Sequence, residues 1–364
     1  EDNPEFVFGR AFLTLAWSLM ARVDEAAKAH VKHVRWAGDC LVIFFAQTKG
    51  TQEGCVNLNE PWHVYANPLE PACCPILALA CYLLTYPGIL CGEGPLFLGG
   101  NPIDRFEKIF NKILKKHEKQ IRQQFHLDIA DLGTHSIRKG SATFCCSGVT
   151  CAPPIVSICL RADWSLGNVK ERYLRFECAG DEFTGRTASG LDGLSFEFAA
   201  SPPYFEGDEE VQVGVELWVD EFVDEDSSFM VRGVIRACLA SFSYHIDFLD
   251  DTLPRSSPIR TSKAFRSPPD PTVLAAAEVR YPWTATAQTP KATGIPPHVS
   301  LLCSMAGLLK GQADLPGKVV AGVAELLRER DEEGGGGGAG SLRLSRALQK
   351  NHNEVMVRLR RLES

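Results

Sequence analysis

The run Gly133-Thr134-His135-Ser136-Ile137-Arg138-Lys139-Gly140 sets a histidine and an arginine three positions apart, one turn of a helix. Downstream stand Arg161-Ala162-Asp163-Trp164 and then Tyr173-Leu174-Arg175. Arginine offers a planar fork that can hold two anionic oxygens and never deprotonates, and histidine takes or returns a proton near neutrality. Such a set suits chemistry on an oxyanion. Each piece alone has a plainer reading. His135 serves as a capping or core histidine, Tyr173 as a half-buried aromatic on its helix, and His-x-x-Arg arises by chance about once in a few hundred residues.

Taken together, order and spacing are far more restrictive. Tyr173 follows Trp164 by nine positions, and upstream Arg22 closes a helix with Glu25 three positions later. Lys49 sits in Gln47-Thr48-Lys49-Gly50, turn chemistry at the tip of a predicted β-hairpin. The series Arg22, Glu25, Lys49, His135, Arg138, Trp164, Tyr173 resembles the tyrosine recombinases, the phage-integrase family, over residues 7–200. The strings His135 to Gly148 and Ala162 to Phe176 look most like recombinases of eukaryotic mobile elements of the Crypton and DIRS type.

That resemblance implies a mainly α-helical catalytic domain with a small antiparallel β-sheet, and site-specific cleavage and rejoining of DNA. The phosphodiester would be attacked by Tyr173, giving a 3′-phosphotyrosyl intermediate that conserves the bond energy for religation. Arg22 and Arg138 would hold the non-bridging oxygens. His135 would accept or return the tyrosine proton, Lys49 would protonate the leaving 5′ oxygen, and Glu25 would fix Arg22 or His135 in place. Trp164 stands where many members carry histidine, and its indole N–H can donate to phosphate but cannot shuttle a proton. The resemblance implies no metal, no cofactor, double-stranded DNA as the partner, self-association on that DNA, and the nucleus as the compartment. It also implies an N-terminal helical domain that helps clamp DNA. Glu1-Asp2-Asn3-Pro4-Glu5 reads as the middle of a longer polypeptide, with 21 residues before Arg22. A second reading is a catalytically decayed or domesticated DNA-binding or interaction protein derived from such an element.

Several elements must position these residues. Phe8 to Arg22 reads as a helix with Phe12, Leu15, Ala16 and Leu19 on one face, followed by strands at His33 to Trp36 and Cys40 to Ala46 and a helix from Pro75 to Tyr86. Asp104 to Phe125 is the clearest amphipathic helix. Phe106, Ile109, Phe110, Ile113, Leu114 and Ile121 oppose Lys108, Lys112, Lys115, Lys116, Lys119 and Arg122, a cationic face that is either simply solvated or directed, with Lys139, at DNA phosphates. Thr134 reads as the N-cap of a helix reaching Ser147, Ala152-Pro153-Pro154 opens the next, and Ser165 caps a third that ends before Gly180.

The 364-residue chain allows about two domains. With 45% hydrophobic and 23% charged residues it is neither wholly disordered nor fibrous. A net charge of −7 means that DNA contact must come from local basic surfaces. Pro75 to Tyr86, the longest apolar run, falls short of the roughly 20 residues that span a bilayer. The 13 cysteines are odd in number and form no CxxC pair, which fits reduced thiols packed as small hydrophobes. His63, Cys73 and Cys74 lack the fourth ligand a closed zinc site needs, and an unrelated cysteine-based enzyme has no Cys/His pairing behind it. Residues 1–204 read as the catalytic domain. Residues 205–340 read as an acidic, Pro/Ser/Gly-rich region of low order with a short helix near 316–331, and 341–364 as a basic amphipathic helix.

Overall fold

Phe8, Phe12, Leu15 and Ala16 recur at helical spacing and are buried along one side of α1 (Glu5–Ser18). The structure is a computed structural model describing residues 5–44, 61–89, 94–164, 177–223, 228–281 and 294–311. It is mainly helical with a small antiparallel sheet. After α1 come α2 (Val23–Ala27), β1 (Val34–Ala37), β2 (Cys40–Ile43) and β3 (Trp62–Val64), the strands in the order β1-β2-β3. Gly38, at φ 61°, takes the left-handed conformation that the tight β1–β2 turn needs, so that Ala37 faces Cys40 and Arg35 faces Val42. The strand β3 pairs Leu41 with Val64, and its three residues are too few for a strand's alternation to show in the sequence.

The helix α3 (Pro75–Thr85) starts at a proline in its first turn, where no N–H is missed, and is buried from Pro75 to Leu84. A helix apolar all round belongs inside a core. It packs between α1 and α10 (Phe229–Tyr244), and each of its fully buried Leu and Ile side chains contributes about 1.5–3 kcal/mol.

The predicted helix over 104–125 is two helices, α4 (Pro102–Lys116) and α5 (Glu118–Phe125). His117 leaves helical geometry at φ −105°, ψ 14°, and the apolar stripe that anchors α4 through Phe106, Ile109 and Leu114 finds no buried counterpart on α5. Next are α6 (Thr134–Thr143), continued by a π-turn over Phe144–Gly148, then α7 (Ile155–Arg161) and α8 (Cys178–Ala188). Gly133, not Thr134, is the cap of α6, and Gly180 lies inside α8. Ser165 lies outside the described residues.

Low order beyond residue 205 does not hold for the described residues of 205–281. There α9 (Glu209–Asp220), α10, α11 (Ile246–Thr252) and three shorter helices follow a two-strand ladder of Tyr204–Phe205 with Ala277–Glu278. The acids occupy the outer face of α9 while Val215, Trp218 and Val219 enter the same core as α1 and α3, so a boundary at 204 separates no cores. Contacts divide the chain instead into Glu1–Ser300 and Leu301–Ser364. The expected helices at 316–331 and 341–364 lie outside the described residues. No helix among the described residues is long and apolar enough to cross a membrane.

Candidate functional site

Two helix ends build the site. At the end of α1, the Ala21 N–H bonds Ala16 O and the Met20 N–H bonds Trp17 O, with Met20 at φ 49°. At the end of α7, the Trp164 N–H bonds Cys159 O and the Asp163 N–H bonds Leu160 O, with Asp163 at φ 48°. Both are Schellman caps, in which the left-handed position is normally glycine. Side chains held there cost free energy, and such positions concentrate where the backbone must aim a functional group. Here they turn the chain toward Arg22 on one side and Trp164 on the other.

Arg22 caps α2, and Glu25 at the third helical position answers it. The Arg22 N–H donates to Glu25 Oε2 at 2.8 Å and Nη1 donates to Glu25 Oε1 at 2.7 Å. Glu25 Oε2 also lies 3.6 Å from Nη1 of Arg138. Arg138, only 7% exposed, donates through Nη2 to the carbonyl of Ala162. Burial lowers the Arg138 pKa, the nearby charge of Arg22 lowers it further, and Glu25 and Asp163 oppose that shift. One carboxylate therefore holds two arginines that are distant in sequence, and the Ala162–Trp164 turn closes on the second. Met20, Ala21, Glu25, Trp62 and Asp163 line a small cleft between the two arms.

His135 is exposed one turn before Arg138 on α6 and makes no hydrogen bond or ion pair among the described residues. Trp164 is 38% exposed at the end of the Asp163 turn, and Lys139 is exposed beside Arg138. Lys49 and Tyr173 lie outside the described residues. Lys108, Lys112, Lys115 and Lys116 on α4, with Lys119 and Arg122 on α5, are all exposed. Lys112 lies 5.1 Å from the ring centre of Phe6, and Arg122 is tied to Asp128 at 3.0 Å and Glu118 at 3.5 Å.

No protein-family model, curated protein or solved structure matches this chain.

Sequence reasoning missed the group that joins the two arms. Arg161, to which the sequence assigns no role, is 2% exposed. Its Nε and Nη2 donate to Ser18 O at 3.1 and 2.8 Å, Nη2 to His63 O at 2.8 Å, and Nη1 to Asp181 Oδ1 at 2.5 Å. Asp181 accepts in turn from the main-chain N–H of His63 and lies 2.8 Å from its Nδ1. Trp62 Nε1 donates to Arg161 O at 2.9 Å. Burial works to raise the Asp181 pKa, but Arg161 and then His63 outweigh it and hold the carboxyl below its usual range. The available signal was an arginine closing the otherwise apolar run Ile155 to Leu160. His63 is thus engaged by Asp181, and no metal-holding group of His, Cys, Asp and Glu occurs among the described residues. Burial pushes the thiols of Cys81 and Cys145 up to about 11 and about 12, which leaves them protonated core groups.

Proposed function

We propose that this chain carries a DNA strand-breaking and rejoining domain of the tyrosine-recombinase kind, from a mobile element and acting on double-stranded DNA in the nucleus. The observation that carries this reading is the shared hold of Glu25 on Arg22 and Arg138 beside an exposed His135 and Trp164. Two fixed guanidinium forks suit the non-bridging oxygens of a phosphodiester, whose charge grows as a nucleophile adds. In this reaction the Tyr173 oxygen bonds to phosphorus, the bond to the 5′ oxygen breaks, His135 takes the phenol proton and Lys49 supplies one to the leaving oxygen. Trp164 Nε1–H donates to a phosphate oxygen. The exposed cations of α4 and α5, with Lys139, hold the flanking backbone, and copies associate on DNA.

A second reading, a domesticated DNA-binding protein without catalysis, is favoured by the orientation of Arg138, whose Nη groups are spent on Glu25 and Ala162. One experiment separates the two. A suicide duplex, nicked near the cleavage site and incubated with the protein in EDTA, should yield a covalent adduct that Tyr173→Phe abolishes while DNA binding persists. DNA binding without an adduct selects the second reading. An adduct that survives Tyr173→Phe identifies a different nucleophile.

A further inference from the structure

The strand β1, the 201–205 segment and α10 border a cavity of about 760 Å³. Its size is that of a small-ligand or anchor-residue pocket. Trp36, Tyr204, Phe205, Phe229 and Met230 contribute to its walls, and no residue of the proposed DNA site does. Phe229 is 90% exposed and Met230 44%. Glu216 lines this cavity and also an open groove along α9, where Val213 and Leu217 are 54% and 63% exposed. Those two side chains are four positions apart, about 6 Å along the helix, and form the kind of ridge against which a second helix packs.

Charge selects the partner. Glu209, Glu210, Glu216 and Asp220 frame that ridge. Arg232 lies 3.0 Å from Glu216 and 2.7 Å from Asp220, and Arg236 also bonds Glu216. With Arg35 and Asp39 of the cavity wall counted, five acids face three arginines over cavity and ridge, so the rim is negative, and Glu209 and Glu210 have no ion pair among the described residues. We infer that α9 and the adjoining cavity dock a basic amphipathic helix of a partner protein, one large apolar side chain entering the cavity beside Phe229 and flanking Lys or Arg residues meeting the acids of α9. Cavity and ridge share Glu216 and together offer an apolar surface on two elements, α9 and α10, and the acid frame disfavours nucleic acid. Anchor-in-pocket docking with a charged rim is a common architecture for such contacts.

The test uses the full chain and two fluorescent peptides of about 18 residues, roughly five turns. Both carry one Leu face with a central Trp, and the polar face is Lys in one and Glu in the other. Anisotropy should show the Lys peptide binding at least tenfold more tightly, with an affinity that falls as salt rises. Leu217→Asp and Phe229→Asp should each cost about tenfold, and Glu209→Lys with Glu210→Lys several-fold. All four positions are exposed, so the variants stay folded, the two Lys changes lowering the melting midpoint by no more than a few degrees as α9 loses the favourable acids of its first turn. Equal binding of the two peptides overturns the inference, as does binding unchanged in both Asp variants. So does a small apolar dye that occupies the cavity without displacing the peptide.

Discussion

Glu25→Gln tests the geometry on which the site depends. Glu25 accepts from the main-chain N–H and Nη1 of Arg22 and forms an ion pair with Nη1 of Arg138 at 3.6 Å. Glutamine keeps one acceptor oxygen but turns an NH2 toward a guanidinium. The Arg22 side chain is 26% exposed, so water replaces much of what it loses, whereas that of Arg138 is 9% exposed. At the 3.6 Å separation of Arg138 and Glu25, an effective dielectric near 20 gives a gross attraction of roughly 4–5 kcal/mol. Rehydration of the freed groups offsets about half of it, leaving a loss of about 2–3 kcal/mol. The melting midpoint should fall by roughly 4–6 °C, taking about 2 °C per kcal/mol for a chain of this size. Urea unfolding of Glu25→Gln, Arg138→Gln and the double variant supplies the cycle, and the coupling should be about 1–2 kcal/mol. A single-variant loss below about 0.5 kcal/mol, or no coupling, would show that Glu25 does not hold Arg138 and would remove the basis of the site.

Asp181→Asn should destabilise the fold by about 3–5 kcal/mol, because it leaves the buried Arg161 charge uncompensated. The folded carboxyl is held below its unfolded pKa, so its stabilisation is complete above about pH 4 and is lost as pH falls through the folded value, and acid titration of Asp181→Asn should lack that loss. His245, buried and with Nε2 unpartnered, is lowered to about 4, first by burial and then by Arg10. The unfolded chain takes up that proton first, so wild-type stability should drop by about 3 kcal/mol between pH 6.5 and pH 4, and His245→Phe should remove that part of the slope in pH-dependent denaturation. Gly185→Ala puts a Cβ 2.2 Å from the carbonyl oxygen of His63, a backbone atom that cannot give way, and should unfold the α8–β3 contact as seen by loss of amide protection at Val64.

What the sequence determined was local. The one-turn recurrence of Phe8, Phe12 and Leu15, the apolar block of α3 and the stripe of α4 were legible because each depends on residues within a turn or two. The resemblance left Glu25 to fix Arg22 or His135, and the structure places it on Arg22, as the third residue of the helix that Arg22 caps. Tertiary structure decided the rest. That Glu25 also meets Arg138 depends on α6 packing against α1, where Ser141 Oγ donates to Trp17 O at 2.7 Å, and no local pattern encodes that distance. Arg161 shows the same limit. A buried charge is costly without partners, and only the convergence of Ser18, His63 and Asp181 supplies enough acceptors to bury this one. The acids of Glu209–Asp220 suggested low order because composition averages over both faces of a helix. Burial acts on one face alone, and Val215, Trp218 and Val219 were enough to draw α9 into the core.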